Sequence, residues 1–543
     1  MKQPVSRKVV VRTLITTATL AVTGLGIDAV TTPNNQTVAP VATATAATTG
    51  NRWNAHPMLL AQSMLVSAGT ADSVSPQEMP LAPAAPSTLS QETMASMEMP
   101  ADFVPASATG VTGNAPFARI ALNGFSSGSA AIAQLGGHLD AVAQWYGMSN
   151  TEFRQMLLTD SSVHIDRKGR VLHIDQELAV GLKNGSVMAT TTVSTSVAAA
   201  GGASPFPLSE TFLLHSKPGS TRVLYLDFTG QGSYPAFDMD GVPSTFSTAE
   251  RLVIQRVMLR VAEDYSAFDV DVTTEPPVNV SGKIGATILI TPRSINAGGY
   301  TYMNSFRTFT PGNASSFCYP NNLAYVEKYI AECVSHELGH TLGLTHQGVS
   351  PSTSYYSGQG SGDTGWAPIM GVGYYKNLTQ WSKGEYLNAN NQQDPYATMA
   401  KLGLLPRADD HGDTIAKADA LISRSANGLN NLSGFGRIET PGSVDMFKFA
   451  AGAGPVSLTV AGSMLGSDLD VAVQLLDGNG RVLAASTSAT TTLTKTLSLN
   501  LPAKSTYYLK VTGAGRGDPK ATGYSNYGNL GEYKITGSAA LAN

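Results

Sequence analysis

At 543 residues the chain is too long for one ordinary core and implies two or three folded domains. A net charge of −4, from 35 Lys and Arg against 39 Asp and Glu, leaves no basic excess to bind nucleic acid or an anionic membrane. Charged residues make up 14% and glycine numbers 54, which suits a β-rich exported protein better than a helical cytosolic one.

The N-terminus reads as an export signal. Lys2, Arg7, Lys8 and Arg12 are basic, and Thr13 to Ile27 follows without charge. That stretch is short and threonine-rich for a membrane span, so residues 1–29 are expected to be a signal peptide, with an uncleaved anchor as the alternative. No later segment is apolar enough to imply stable membrane insertion. Residues 30–114 are rich in Ala, Thr, Pro, Ser and Met without periodicity, and read as a disordered linker or the loose start of a pro-segment.

From 115 to 205 the pattern tightens into a small α+β unit. Leu139, Val142, Trp145 and Tyr146 recur at helical spacing, and Ser149 to Glu152 is a capping box. Val163–Ile165 and Val171–Ile174 flank Asp166-Arg167-Lys168-Gly169, predicting two strands around a turn. Their histidines, His164 and His173, are expected to decorate the hairpin.

Residues 206–405 alternate strands and helices. Val223–Phe228, Phe268–Thr273 and Gly285–Ile290 read as strands, with Gly299–Phe306 and Leu323–Val326 as shorter candidates. Thr248–Tyr265 reads as a helix behind a Ser247–Glu250 capping box. Ser382–Glu385 and Asp394-Pro395 look like two further helix starts. Beyond Pro406 the alternation turns all-β, with hairpin turns at Asp477-Gly478 and Asn479-Gly480, so residues 406–543 predict a β-sandwich.

The richest stretch is His336-Glu337-Leu338-Gly339-His340-Thr341-Leu342-Gly343-Leu344-Thr345-His346. On a helix, His336 and His340 lie one turn apart on one face and can reach one ion. Gly343 tolerates the positive φ of a helix end, so the chain can bring His346 back to the same ion. Three histidine ligands plus an open position is the arrangement of catalytic rather than structural zinc. Glu337, beside the first ligand, can take a proton from a bound water.

The two cysteines, Cys318 and Cys333, form an even pair in an exported chain, which favours a disulfide worth about 3 kcal/mol. Two buried free thiols are the alternative, and a cysteine ligand is disfavoured because three histidines already complete a catalytic set.

The histidine pattern together with Met370, 24 residues after His346, resembles the metzincin clan of metalloproteases. That resemblance implies an α+β catalytic domain with a mixed twisted sheet, and a Met-turn packed beneath the metal at Met370. It also makes the 115–205 unit a pro-domain, with an independent binding module as the alternative. Stretches from Val223 to Ala389, including Phe268–Thr274, Cys318–Asn322 and Trp366–Tyr375, are similar to secreted bacterial metzincin-like proteases. The segments Asp409–Thr414, Ile438–Asp445 and Ser467–Asp470 resemble the bacterial pre-peptidase C-terminal domain. The sequence departs from named subfamilies at Gln347, which follows the third histidine. Where a Met-turn tyrosine is common there is Val372, so the oxyanion-stabilising role falls to Tyr374 or Tyr375 as an expectation. The pro-region has no cysteine to serve as a cysteine switch.

The expected function is a secreted zinc endopeptidase, made as a zymogen and acting as a monomer on protein or peptide substrates. One alternative is an extracellular binding or adhesive protein with a vestigial protease domain; another is a zinc hydrolase of non-peptide bonds. Asp409-Asp410, Asp413 and Asp468 to Asp470 could bind Ca²⁺, although solvated turns and caps are the plainer reading.

Overall fold

The structure, a computed structural model, describes residues 89–110, 115–178, 204–293, 295–310, 312–351, 353–487 and 491–542. All of these fall in one compact unit, Asn51–Asn543; the expected signal peptide, residues 1–29, lies outside the described residues.

Of the linker expected over 30–114, residues 89–110 are described. Ser90 caps α1 (Gln91–Ala95), its side chain accepting from the Thr93 amide. Met94, Met97 and Met99 then bury against Leu172, Tyr300 and Tyr302. Unbranched methionines fill an irregular gap well, and they give no periodic signal in a sequence.

Next come β1 (Ser126–Ser127), α2 (Gly128–Leu135), α3 (Leu139–Trp145) and α4 (Asn150–Thr159). The Ser149–Glu152 capping box forms as the sequence implies. The hairpin β2 (Val163–Ile165) and β3 (Val171–Ile174) follows. Its turn is fixed by Arg170, a buried guanidinium paired with Asp166 and donating to the carbonyls of Met99, Pro100 and Phe103. A buried charge is tolerated when its donors are used in this way.

The next segment supplies β4 (Arg222–Asp227), α5 (Thr248–Asp264), β5 (Asp271–Thr273), β6 (Ile284–Ile290), β7 (Gly299–Tyr302), β8 (Ser316–Cys318), α6 (Glu327–Thr341), the short parallel pair β9 (Trp366–Pro368) and β10 (Leu378–Gln380), and α7 (Pro395–Lys401). Strands β1 to β8 make one mixed sheet in the order β1-β2-β3-β7-β8-β6-β4-β5. The sheet therefore runs unbroken from the 115–205 unit into the 206–405 unit through antiparallel pairing of β3 with β7. Two expectations are corrected. Leu323–Val326 is not a strand, because Ala324 and Tyr325 have positive φ. No helix follows Ser382; its hydroxyl caps a turn at Gly384, which has positive φ.

Beyond residue 406 two five-stranded sheets face each other. One orders β11 (Asp419–Ala420), β14 (Val444–Ala451), β19 (Ser505–Gly513), β16 (Val471–Leu476) and β17 (Val482–Ser486). The other orders β12 (Ile422–Ala426), β13 (Leu429–Ile438), β20 (Gly531–Ala540), β15 (Gly454–Gly462) and β18 (Lys495–Leu501). The alternating burial of β15 and β19 fits strands with one face in a core.

Candidate metal centre

Helix α6 carries His336, Glu337 and His340, all buried. It ends in a Schellman turn: the Leu344 amide donates to Gly339 O, and that of Gly343, with φ +83°, to His340 O. This turn returns His346 to the helix face.

Each of the three rings has its Nδ1 held: His336 by Ile369 O at 2.9 Å, His340 by Leu344 O at 2.8 Å and His346 by Asp160 Oδ2 at 2.7 Å. A donating Nδ1 leaves Nε2 as the lone-pair nitrogen. The three Nε2 atoms face Asp175, the residue after β3. The Asp175 carboxylate oxygens lie 3.3 Å from His336 Nε2, 3.4 Å from His340 Nε2 and 3.3 Å from His346 Nε2. His340 and His346 Nε2 are 3.0 Å apart. These separations exceed a charge-assisted hydrogen bond, about 2.7–2.9 Å. They match ligands of one tetrahedral ion, which at metal–ligand bonds of about 2.0–2.1 Å stand about 3.3 Å apart. His336 Nε2 and Asp175 Oδ2 are buried with no hydrogen-bond partner, as atoms aimed at a metal would be.

His173 belongs to this centre, contrary to the expectation that it decorates a hairpin. It is fully buried, and His173, Asp175, His340 and His346 form a cluster that could hold a metal ion. His164 stays at the hairpin, bonded to Ser162 O. The His173 ring stacks on His340 at 3.9 Å and an interplanar angle of 7°. A metal sits near the plane of each imidazole that binds it, so two parallel stacked rings cannot share one ion. His336 and His340 are tilted by 79°, and His340 and His346 by 76°, which lets their planes meet at one point. His173 is therefore a cover over His340 rather than its co-ligand.

Glu337 is fully buried. Thr301 Oγ1 donates to its Oε2 at 2.6 Å, while Oε1 has no hydrogen-bond partner. Gly299 makes room for it, since a Cβ there would collide with Oε1. Burial, then the nearby Asp175, pushes the Glu337 carboxyl well up. Burial holds His340 down to about 4. At His346 burial works the same way, but the carboxylates of Asp160 and Asp175 outweigh it and lift the ring to about 10. Met370 is buried under the helix, its sulfur against Gly339.

The expected tyrosines are placed differently. Tyr374 spends its hydroxyl on Leu178 O at 2.9 Å, and Tyr375 packs edge-on against Tyr329. Tyr355 reaches the cluster instead: its hydroxyl donates to Asp175 Oδ1 at 2.9 Å and its ring lies 4.3 Å from that of His346. Cys318 and Cys333 are free, buried neighbours, and Cys333 Sγ points to Gly298 O at 3.4 Å. Among the acidic residues considered for calcium, Asp470 is neutralised by Lys495 at 2.7 Å, whereas Asp409 and Asp410 converge with Asp445.

Sequence spacing pointed to the three histidines and Glu337, but not to Asp160, Asp175 and Tyr355. A lone carboxylate after a hairpin and a tyrosine in a Ser- and Gly-rich loop carry no local pattern. They become visible when β3 is docked on β7.

Among the described residues no helix is long and apolar enough to cross a membrane. No protein-family model matches the chain, and no curated protein sequence matches it. Among solved structures, the C-terminal region is similar to the pre-peptidase C-terminal domain of a Bacillus anthracis collagenase, at 16% identity over 20% of this chain and 88% of that one, with a TM-score of 0.15. A periplasmic inhibitor of g-type lysozyme from Aeromonas hydrophila matches at 14% identity over 22% of this chain and 96% of its own, with a TM-score of 0.17. The M60 catalytic domain with two CBM51 domains from Clostridium perfringens ZmpB matches at 14% identity over 26% of this chain and 15% of that one, with a TM-score of 0.14.

Proposed function

We propose that the chain is a secreted zinc endopeptidase whose metal is held by His336, His340 and His346. The observation that supports this most is the convergence of three Nε2 atoms whose Nδ1 partners are all fixed by carbonyl or carboxylate oxygens. Imidazoles in this arrangement suit zinc once the ion displaces the proton that Asp160 and Asp175 hold on His346, and three protein ligands are a catalytic rather than a structural number.

Bound zinc would supply a Lewis acid that polarises a peptide carbonyl and acidifies an attacking water. The chain's own residues do the rest. Thr301 holds Glu337 by Oε2, leaving Oε1 to accept the proton of the water and pass it to the leaving amine. Met370, wedged against Gly339, supports the helix segment between the two ligands. Strand β7 starts beside Glu337, and an extended peptide pairing with it in the place that β3 occupies would run past the centre by strand addition.

The test is Glu337→Gln, compared with wild type after release of the segment before residue 204. The variant is expected to keep one equivalent of zinc and to lose casein cleavage by at least about a hundredfold. Equal cleavage by both proteins refutes the mechanism.

A further inference from the structure

The carbonyl that steadies His336 is itself held from the sandwich. His336 Nδ1 donates to Ile369 O at 2.9 Å, and the Ile369 amide donates to Gln380 O at 2.9 Å. Gln380 is the last residue of β10, which pairs in parallel with β9. Its buried side chain reaches into the sandwich: Nε2 donates to Asp468 O at 2.6 Å and to Asn529 Oδ1 at 2.9 Å, while Oε1 accepts from Trp366 Nε1 at 2.9 Å. An indole nitrogen can only donate and a backbone carbonyl can only accept, so the amide has one orientation, with both N–H groups used. On the sandwich side, the buried Asn529 also accepts the Asp470 amide at 3.0 Å and donates to Ser525 O at 2.9 Å. Asn529 thereby ties two loops of the sandwich to one glutamine. The fit is close here. A Cβ on Gly528 would stand 2.6 Å from Trp381 O, and Leu338 and Trp381 share one buried core with Leu469 and Leu530.

We propose that the C-terminal sandwich is a working part of the histidine centre, acting through Gln380. Three hydrogen bonds in series lead from Asn529 to Gln380, from Gln380 to Ile369 and from Ile369 to His336. Gln380 and Asn529 are positioning residues. They meet neither metal nor substrate; they fix the carbonyl that sets the orientation and the tautomer of the His336 ring. Outer partners of this kind hold a ligating imidazole in place, and their loss weakens metal binding. The amide is suited to the task because it is buried and fully bonded, so removing one partner leaves a desolvated polar group unpaired. The inference rests on the zinc reading above. It adds that metal retention is set in part from beyond residue 406, and that the first ligand registers whether the sandwich is docked.

The test compares the full chain with Gln380→Glu, Asn529→Ala and Tyr527→Phe. Gln380→Glu keeps the size of the side chain and the bond from Trp366, but turns an acceptor toward Asp468 O and Asn529 Oδ1. Its near-identical shape guards against the misfolding that Asn529→Ala could cause. Tyr527→Phe is the control: it removes a hydroxyl that donates to Asp394 at 2.8 Å, across the same interface but off the line to His336. Two quantities are read. One is amide hydrogen exchange over residues 366–372 in metal-free protein; the other is the rate at which EDTA strips Co²⁺ from loaded protein. Gln380→Glu and Asn529→Ala are expected to raise the exchange, and to lose the metal, at least about tenfold faster than the parent. Tyr527→Phe is expected to match the parent in both. Metal loss from Gln380→Glu at the parent's rate overturns the positioning role, whatever the exchange shows. Metal loss from Tyr527→Phe as fast as from Gln380→Glu overturns it too, because any loosening of the interface would then suffice. Failure of the zinc reading looks different: no protein in the series, parent included, then holds one equivalent of metal, while the exchange contrast remains.

Discussion

Gly339 and Met370 touch so closely that a Cβ on the glycine would stand 2.5 Å from the methionine sulfur. Glycine inside a helix ordinarily costs about 1 kcal/mol relative to alanine. Here the missing side chain lets Met370 lie against the segment between His336 and His340. Gly339→Ala is expected to destabilise the protein despite its better propensity, because overpacking costs about 1–3 kcal/mol. Met370→Ala should relieve that clash, so the double variant should be more stable than the two single losses add up to. Denaturant unfolding of the four proteins checks this, and strictly additive losses would show that the two residues do not press on each other.

Tyr355 is the tyrosine at the centre, its hydroxyl on Asp175 and its ring beside His346. That hydroxyl is a donor set at the histidine cluster, where it could serve a developing oxyanion. Tyr355→Phe is expected to lower kcat about 10²-fold with KM little changed. Tyr375→Phe, packed on Tyr329 away from the cluster, should stay within about twofold. Steady-state kinetics on one peptide substrate separates them; a larger loss at Tyr375 would return the role to the Met-turn.

The thiols give a redox prediction. Cys318 and Cys333 are free but adjacent, and burial, with Cys318 as neighbour, pushes the Cys333 thiol well up. A buried thiol of raised pKa reacts slowly. Thiol titration should find almost none reactive in the folded protein and two after unfolding without reductant. Two silent cysteines after unfolding would mean that the pair had oxidised to a disulfide.

The sandwich should respond to calcium and pH together. Asp409, Asp410 and Asp445 converge, and close by are Glu439, with both carboxylate oxygens lacking a partner, and the unpartnered Oδ1 of Asp445. Burial, with Asp410 adding, raises Glu439 to about 9; burial also raises Asp445 to about 7. Both acids bind protons more tightly folded than unfolded. The stability they contribute is present below about pH 4 and is lost as pH rises through about 7 and then 9. Without calcium the melting temperature should fall between pH 5 and pH 8. Millimolar Ca²⁺ should restore it at pH 8 by replacing the protons with a cation held by oxygen ligands. Glu439→Gln should weaken both responses. A melting curve indifferent to calcium at pH 8 would leave these residues as a buried acidic knot and nothing more.

The elements best read from sequence were those with a local cause. The capping boxes at Ser149 and Ser247, the apolar period of α5 and the Asp477 hairpin turn each sit within a few residues of the structure they specify. The histidine helix is similar, because its spacing and Gly343 fix its face and its end. What stayed hidden depended on distant pairing. Asp175 gains its place from β7, more than a hundred residues on, and the methionines after Ser90 are ordered by Tyr300 and Tyr302. Ser382 shows the converse: a helix-start pattern is overridden when the chain must turn at Gly384.

The sheet that joins β3 to β7 has a cost that appears when the two part. While β3 is docked, Tyr300 and Tyr302 lie in the interior of an eight-stranded sheet. Once it leaves, β7 becomes a bare margin with open amides, carbonyls and aromatic side chains, the kind of edge to which other chains adhere. Appetite for peptide and liability to self-association would then be one property of one strand, so the matured molecule should stay dispersed best when dilute or supplied with something to cut.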